Sequence, residues 1–228
     1  MGDRATRDRA NKDALFASLA GVARALGNGR RAEIVDVLSQ GERSVDELAR
    51  EIEQSVANTS QHLQALSRAG LVTGRRQGTR VHYALTSVRV GDLWAALRDV
   101  AAGHVAGIAD LADAYLGDRG ALEQITRRDL AARLRRRDVV VIDVRPRTEY
   151  EAGHIPGAQS IAPRELRRRL RDLPPDVDVV AYCRGPFCVY ADDAVRALRR
   201  RGRRALRLED GFPEWRRAGL PVAAGEGA

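Results

Sequence analysis

SVANTSQHLQALSRAGLV at residues 55–72, followed by RRQGTRVHYAL at 75–85, decides how the first half of the chain folds. Leu63, Leu66 and the Leu71-Val72 end give one apolar side to a helix over Val56–Ala69, which Gly70 stops. Its other side carries Asn58, Thr59, Ser60, Gln61, His62 and Gln64. The period then changes. Leu71–Arg76 and Arg80–Leu85 read as strands around the turn Gln77-Gly78-Thr79, with Val81, Tyr83 and Leu85 alternating against Arg80, His82 and Ala84. Toward the N-terminus, Ser44 and Glu47 form a capping box for a short helix over Val45–Ile52, and a polar turn at Glu53–Ser55 separates it from the next. Helices are also predicted over Asp13–Leu26, ended by Gly27 and Gly29, and over Arg31–Ser39. Downstream, one long helix is predicted from about Val88 to Leu116, and Gly117–Gly120 reads as a linker.

Helix, tight turn, helix and hairpin is the plan of a winged helix-turn-helix. The polar side chains of the second helix suit base edges and phosphates of a major groove. Arg75, Arg76 and Arg80 on the hairpin suit the DNA backbone or a minor groove. A polar helix face alone fits a helical bundle with a solvated side equally well. The two quoted runs together resemble the ArsR-type family of winged-helix repressors over about residues 14–100. That resemblance implies a homodimer on double-stranded operator DNA. The first and last helices, 13–26 and 88–116, would form the two-fold interface, and both are more apolar than one small domain needs. Many members of that family sense metals. Here the stretch matching the family's thiolate site, Glu42–Leu48, has no cysteine, and Asp92 and His104 on the last helix lack partners at the right spacing. No metal is expected, and no thiol switch within this half.

Beyond the linker the pattern is strand and helix in alternation. Val139–Val144 is a continuous β-branched run, Val177–Tyr182 a second and Ala205–Leu208 a weaker third. Helices are predicted over Thr126–Arg136, Pro163–Leu170 and Val189–Arg201. This is α/β order with a mainly parallel sheet. Cys183 stands where the second strand ends, ahead of the loop Arg184, Gly185, Pro186, Phe187, Cys188 and a helix N-terminus. Loop amides and the helix dipole there stabilise a thiolate, an outer sulfur atom or a sulfur oxyanion, and Arg184 adds positive charge. Two cysteines five positions apart also fit two small buried residues.

The stretches IDVRPRTEYEAGHIPGAQSI (142–161), AYCRGPFC (181–188) and LEDGFPEWRRAGLPV (208–222) resemble, in that order, the rhodanese family from about Gln124 to Val222. The resemblance implies that Cys183 is a nucleophile carrying a persulfide, that Asp143 and Arg145 support the site, that His154 belongs to a structural turn, and that no cofactor is needed. Phosphatases that use this fold or chemistry place arginine six positions after the nucleophile to clamp phosphate; here that residue is Val189. The six-residue loop suits sulfur. The last loop position, commonly arginine, threonine or serine in active rhodaneses, is Cys188. One anion-binding side chain for thiosulfate is thereby missing, and a candidate resolving thiol stands near Cys183.

The chain has 228 residues, 44% hydrophobic and 31% charged, with a formal charge of +8, which excludes wholesale disorder and suggests a polyanionic partner. Lys12 is the only lysine. Two cysteines are too few for a disulfide scaffold or a structural zinc site. Met1–Lys12 has no apolar core, and Leu93–Leu116 is broken by Arg98, Asp99, His104, Asp110 and Asp113, so neither a signal peptide nor a membrane span is expected. The expectation is a cytoplasmic regulator with a DNA-binding and dimerisation domain at 1–117 and a rhodanese-like domain at 118–228. Its partners would be operator DNA, a second copy of the chain, a thiosulfate or polysulfide donor and a thiol acceptor. In the alternatives, the rhodanese-like domain is a sensor or scaffold without turnover, or the chain is mainly a sulfurtransferase.

Overall fold

Polar side chains start three helices of the first unit. Asn28 Oδ1 accepts from the Arg31 N–H, Ser55 Oγ accepts from Asn58, and Ser44 and Glu47 cap each other reciprocally. The computed structural model describes residues 2–162, 164–169 and 172–225. It begins with α1 (Gly2–Leu26), α2 (Gly29–Leu38), β1 (Arg43–Ser44), α3 (Val45–Glu51) and α4 (Val56–Arg68). The hairpin β2 (Val72–Gln77) and β3 (Arg80–Leu85) pairs antiparallel from Val72↔Leu85 to Gln77↔Arg80, and β1 adds to its other side in the order β1-β3-β2. Ile34, Val35, Leu48, Ile52, Leu63 and Leu66 are fully buried and hold α2, α3 and α4 together.

One long helix was expected over 88–116; the structure has two, α5 (Val88–His104) and α6 (Ile108–Leu116). Gly107 takes a left-handed backbone at φ 84°, which interrupts the i→i+4 ladder at little cost for a residue without Cβ. By Cα proximity the chain divides within α5, into residues 1–98 and 99–228. Trp94 of α5 donates its Nε1 proton to Asp36 of α2 at 2.7 Å. Among the described residues no helix is long and apolar enough to cross a membrane.

The second unit continues with β4 (Gln124–Ile125), α7 (Arg127–Arg136), β5 (Val139–Asp143), α8 (Arg147–Ala152), β6 (Gln159–Ser160), α9 (Leu166–Arg169), β7 (Asp178–Tyr182), α10 (Val189–Arg199), β8 (Ala205–Leu208) and α11 (Phe212–Arg217). The sheet runs β4-β8-β7-β5-β6, with every pair parallel. One face buries Ile142, Val179 and Ala181 with Val195 and Leu198 of α10; the other buries Val141, Val180 and Leu208 with Leu130, Phe212 and Trp215. Burial on both faces is why the central strands are apolar without alternation. The ends of the helix expected over Pro163–Leu170 lie outside the described residues. Because all strands run the same way, their carboxyl ends bring residues 144–146, 183–188 and 209–211 to one edge of the sheet.

Candidate sulfur site and DNA-reading surface

Cys183 follows β7 directly and is buried; Cys188 is the residue before α10. The two sulfurs are bonded, with the Cα atoms 6.2 Å apart, inside the range a disulfide accepts. The enclosed loop is tied by the Cys188 N–H to Gly185 O at 3.2 Å, and the Phe212 N–H fastens Cys183 O at 3.0 Å. Among the described residues, no backbone carbonyl accepts from the N–H of Gly185 or Phe187. Those groups remain donors for an anion or a thiolate. Gly211 lies under the loop so closely that an added Cβ would run into the backbone of Arg184 and Gly185. Gly211→Ala is therefore expected to displace the loop and slow sulfur uptake by Cys183 at least tenfold while the cysteines remain; intact-mass time courses after polysulfide addition measure it.

Behind the loop lies a clamp that the sequence reading missed. Asp192 of α10 is fully buried between two arginines. Arg119 Nε donates to its Oδ2 at 2.5 Å, and Arg207 Nε lies 2.8 Å from its Oδ1. The same guanidiniums reach the loop's carbonyls. Arg119 Nη1 donates to Pro186 O at 2.6 Å and Nη2 to Cys188 O at 3.2 Å, and Arg207 Nη2 donates to Pro186 O at 3.0 Å. Burial, and then the Arg119 charge, lower the pKa of Arg207, with Asp192 opposing both. A signal for Asp192 was present: it lies on the apolar face that Ala191, Val195 and Leu198 define on α10. Nothing in the linker marked Arg119.

Asp143 and Arg145 meet at the end of β5. Arg145 Nη2 donates to Asp143 Oδ2 at 2.6 Å and to Gly153 O at 2.6 Å, with both side chains fully buried. The guanidinium also lies 4.2 Å from the Phe212 ring centroid. Burial works against the Arg145 charge, but Asp143 outweighs it and the pKa rises. Burial, then Asp143, push the Tyr182 hydroxyl well above its ordinary pKa, so it stays protonated and donates to Asp143. Arg184 departs from expectation. Its guanidinium forks onto the fully buried Glu149, Nη2 to Oε1 at 2.6 Å and Nε to Oε2 at 3.1 Å. A buried carboxylate requires a counter-ion, so the Arg184 charge is compensated there instead of being free for the thiolate. His154 is buried, its ring stacked on Tyr150 at 3.7 Å and its Nδ1 2.8 Å from Tyr150 O.

On α4 the structure exposes Asn58, Gln61 and Gln64 and half-buries Ser60 and His62. Thr59 departs from expectation: it is fully buried and its hydroxyl donates to Ser55 O at 2.9 Å, so it serves the helix's own packing and does not face DNA. Arg75, Arg76 and Arg80 are exposed on the hairpin, with Arg75 paired to Glu42 at 2.9 Å.

Residues 28–73 match the family described as "Bacterial regulatory protein, arsR family". Over 94% of its length the chain is 47% identical to the HTH-type transcriptional regulator Rv0324 of Mycobacterium tuberculosis, again over 94% of that protein. The chain belongs to the ArsR family of bacterial regulators. This ArsR-family regulator also carries a rhodanese-like domain, matched over residues 126–218. That part is similar to a sulfurtransferase of Allochromatium vinosum, 37% identical over 40% of this chain and 83% of that protein. Among solved structures, the homodimeric winged helix-turn-helix domain of Mb0332 from Mycobacterium bovis is 42% identical over 41% of this chain and 87% of that one, with a TM-score of 0.40.

Proposed function

We propose that this regulator is a sulfur-responsive, dimeric operator-binding protein, with domains at 1–117 and 118–228, in which Cys183 takes sulfane sulfur and Cys188 resolves it. The observation that carries the reading is the paired thiols at the strand end, on a loop whose carbonyls are gripped by Arg119. That arginine stands in the segment joining α6 to β4, so a change in loop shape is felt in the linker itself. Dimerisation through the outer helices is supported by Leu15, Phe16 and Leu19 on α1, Leu97 and Val100 on α5, and Leu111 and Tyr115 on α6, all widely exposed.

In this mechanism the Cys183 thiolate attacks the terminal sulfur of a polysulfide. The donor's S–S bond breaks, the shortened polysulfide leaves as an anion, and Cys183 becomes a persulfide. The Cys188 thiolate then attacks Cys183 Sγ, expelling hydrosulfide and forming the disulfide. Two equivalents of a small thiol restore both cysteines and leave as their own disulfide. Where Cys188 does not intervene, an acceptor thiol takes the outer sulfur, as in a sulfurtransferase. The burial of Cys183 favours a second reading, a sensor without multiple turnover, which turnover assays with thiosulfate and polysulfide separate from the first.

The test is operator affinity with and without polysulfide, on duplexes enriched by the wild-type chain from a random-sequence pool. Polysulfide is expected to change wild-type affinity several-fold and to leave Cys183→Ser unchanged, an effect within the roughly 1–3 kcal/mol of ordinary allosteric coupling. Equal binding of treated and untreated wild type defeats the sulfur response. On the same duplexes, Gln61→Ala is expected to lose about 1–3 kcal/mol of specific binding, whereas Arg76→Ala weakens all sequences alike. The reverse pattern would exchange the roles of helix and wing.

A further inference from the structure

The positive charge of this regulator is concentrated away from its recognition helix. Residues 1–117 hold 15 Lys and Arg against 14 Asp and Glu, whereas residues 118–228 hold 24 against 17. Arginine-rich composition raises the number of such residues but does not place them. Within the rhodanese-like domain they form groups at both edges of the sheet, and Arg127, Arg128 and Arg147 are exposed at the carboxyl edge. At the carboxyl edge of the sheet, Arg119, Arg145, Arg184 and Arg207 are mostly or wholly buried and occupied by Asp192, Asp143 and Glu149. At the opposite edge, where β5, β7 and β8 begin, Arg135, Arg136, Arg137, Arg200, Arg201 and Arg204 are all exposed.

The register brings these residues together. Val139 pairs with Asp178 and Val179 with Ala205, so the segments before β5 and β8 flank the start of β7. Asp178 receives an arginine from each side, Arg133 at 2.7 Å and Arg204 at 3.7 Å. Arg136 is paired with Asp138 at 2.8 Å. Among the described residues, no carboxylate lies within ion-pair distance of Arg135, Arg137 or Arg200. Arginines in the last turn of a helix also favour the helix dipole, which accounts for Arg135 and Arg136. It serves Arg137 and Arg200 too, as the C-cap residues of α7 and α10, but it does not account for Arg204, beyond the end of α10, or for an arginine at position 137, whose backbone is left-handed at φ 57° where glycine costs least.

We propose that this amino edge of the sheet is a second DNA-binding surface, which contacts the phosphate backbone of duplex DNA without reading sequence. The proposal rests on the operator-binding reading above only in that the recognition helix brings DNA to the chain. Exposed guanidiniums without carboxylate partners gain from phosphate through charge-assisted, bidentate hydrogen bonds and the release of counterions. Arg135, Arg137 and Arg200 give up no existing ion pair in doing so, and Arg204 gives up only its 3.7 Å pairing with Asp178. Arg135 and Arg137 also border an apolar groove lined by Leu134, Val139, Trp215 and Leu220, but Arg200 and Arg204 lie outside its lining, and exposed guanidiniums spread over both segments suit a charged backbone better than an apolar peptide.

The experiment uses the full chain and a mixed-sequence duplex of about 30 base pairs, with binding followed by anisotropy from about 50 to 200 mM salt. The variant is Arg135→Gln/Arg137→Gln/Arg200→Gln/Arg204→Gln. Each contacting arginine contributes about 0.9 to the slope of log affinity against log salt, so the slope is expected to fall by about 3–4 and low-salt affinity by tenfold or more. A slope that stays within about 1 of wild type overturns the proposal, as does a wild type that does not bind this duplex at low salt. If the fourfold variant loses its melting transition, Arg200→Gln/Arg204→Gln replaces it, with an expected slope change of about 2. The ratio of affinities for the enriched and mixed duplexes reports the recognition helix separately. It is expected to be unchanged in the arginine variant and to fall in Gln61→Ala. A ratio of one in the wild type sinks the operator reading and leaves the slope measurement intact.

Discussion

Cys183→Ser is expected to abolish both the persulfide and the disulfide, so that polysulfide-treated protein keeps the mass of the untreated variant. Cys188→Ser is expected to differ in kind. It should accumulate a persulfide on Cys183 that persists, because the thiol that would expel hydrosulfide is gone. The asymmetry follows from position. Cys183 stands directly after β7, with the loop's free N–H groups and the start of α10 around it, whereas Cys188 is the residue that precedes the helix. Intact-mass and peptide mass spectrometry measure both outcomes. A sulfur adduct on Cys188 alone would reverse the assignment, and hydrosulfide release that is equal in Cys188→Ser and wild type would remove Cys188 from the resolving step.

Asp143→Ala is expected to cost about 3–5 kcal/mol, because it leaves the buried Arg145 charge without its carboxylate. Tyr182 would lose the acceptor of its hydroxyl proton as well. For a domain near this size, that loss lowers the melting temperature by more than ~10 °C. Circular dichroism melting measures it. The double variant Asp143→Leu/Arg145→Leu is expected to recover much of the loss, since replacing a buried ion pair by apolar side chains is often close to neutral. A single variant that melts within a few degrees of wild type would show that water reaches Arg145 and that the pair is not a structural requirement. The same experiment separates support of the site from chemistry: the double variant, once folded, is expected to take up sulfur on Cys183.

Several elements were legible because their cause is local. The Ser44–Glu47 box, the helix–turn–helix spacing, the Gly78 hairpin and the strand runs VVVID and DVVAY depend on residues within a few positions of each other. α8, α11, β4 and β6 were missed because two to six residues carry too little periodicity, and packing decides their state. The predicted 88–116 helix failed at Gly107, where a single left-handed residue outweighs the apolar pattern on either side.

What the amino-acid order determined by itself was the two fold classes, the polar face of α4 and the place of Cys183 at a strand end, since each follows from neighbours along the chain. What only the tertiary structure decided was which of those polar groups are free. Thr59 turned inward because its side of α4 packs on the core. Arg184 was taken by Glu149, 35 residues earlier in the chain, because a buried carboxylate requires a cation. Arg119 reached Asp192 across 73 residues because the sheet order brings the linker beneath the start of α10. The gathering of Arg135, Arg137, Arg200 and Arg204 at the amino edge likewise belongs to the parallel register, since strand direction decides the end of the sheet at which each loop emerges.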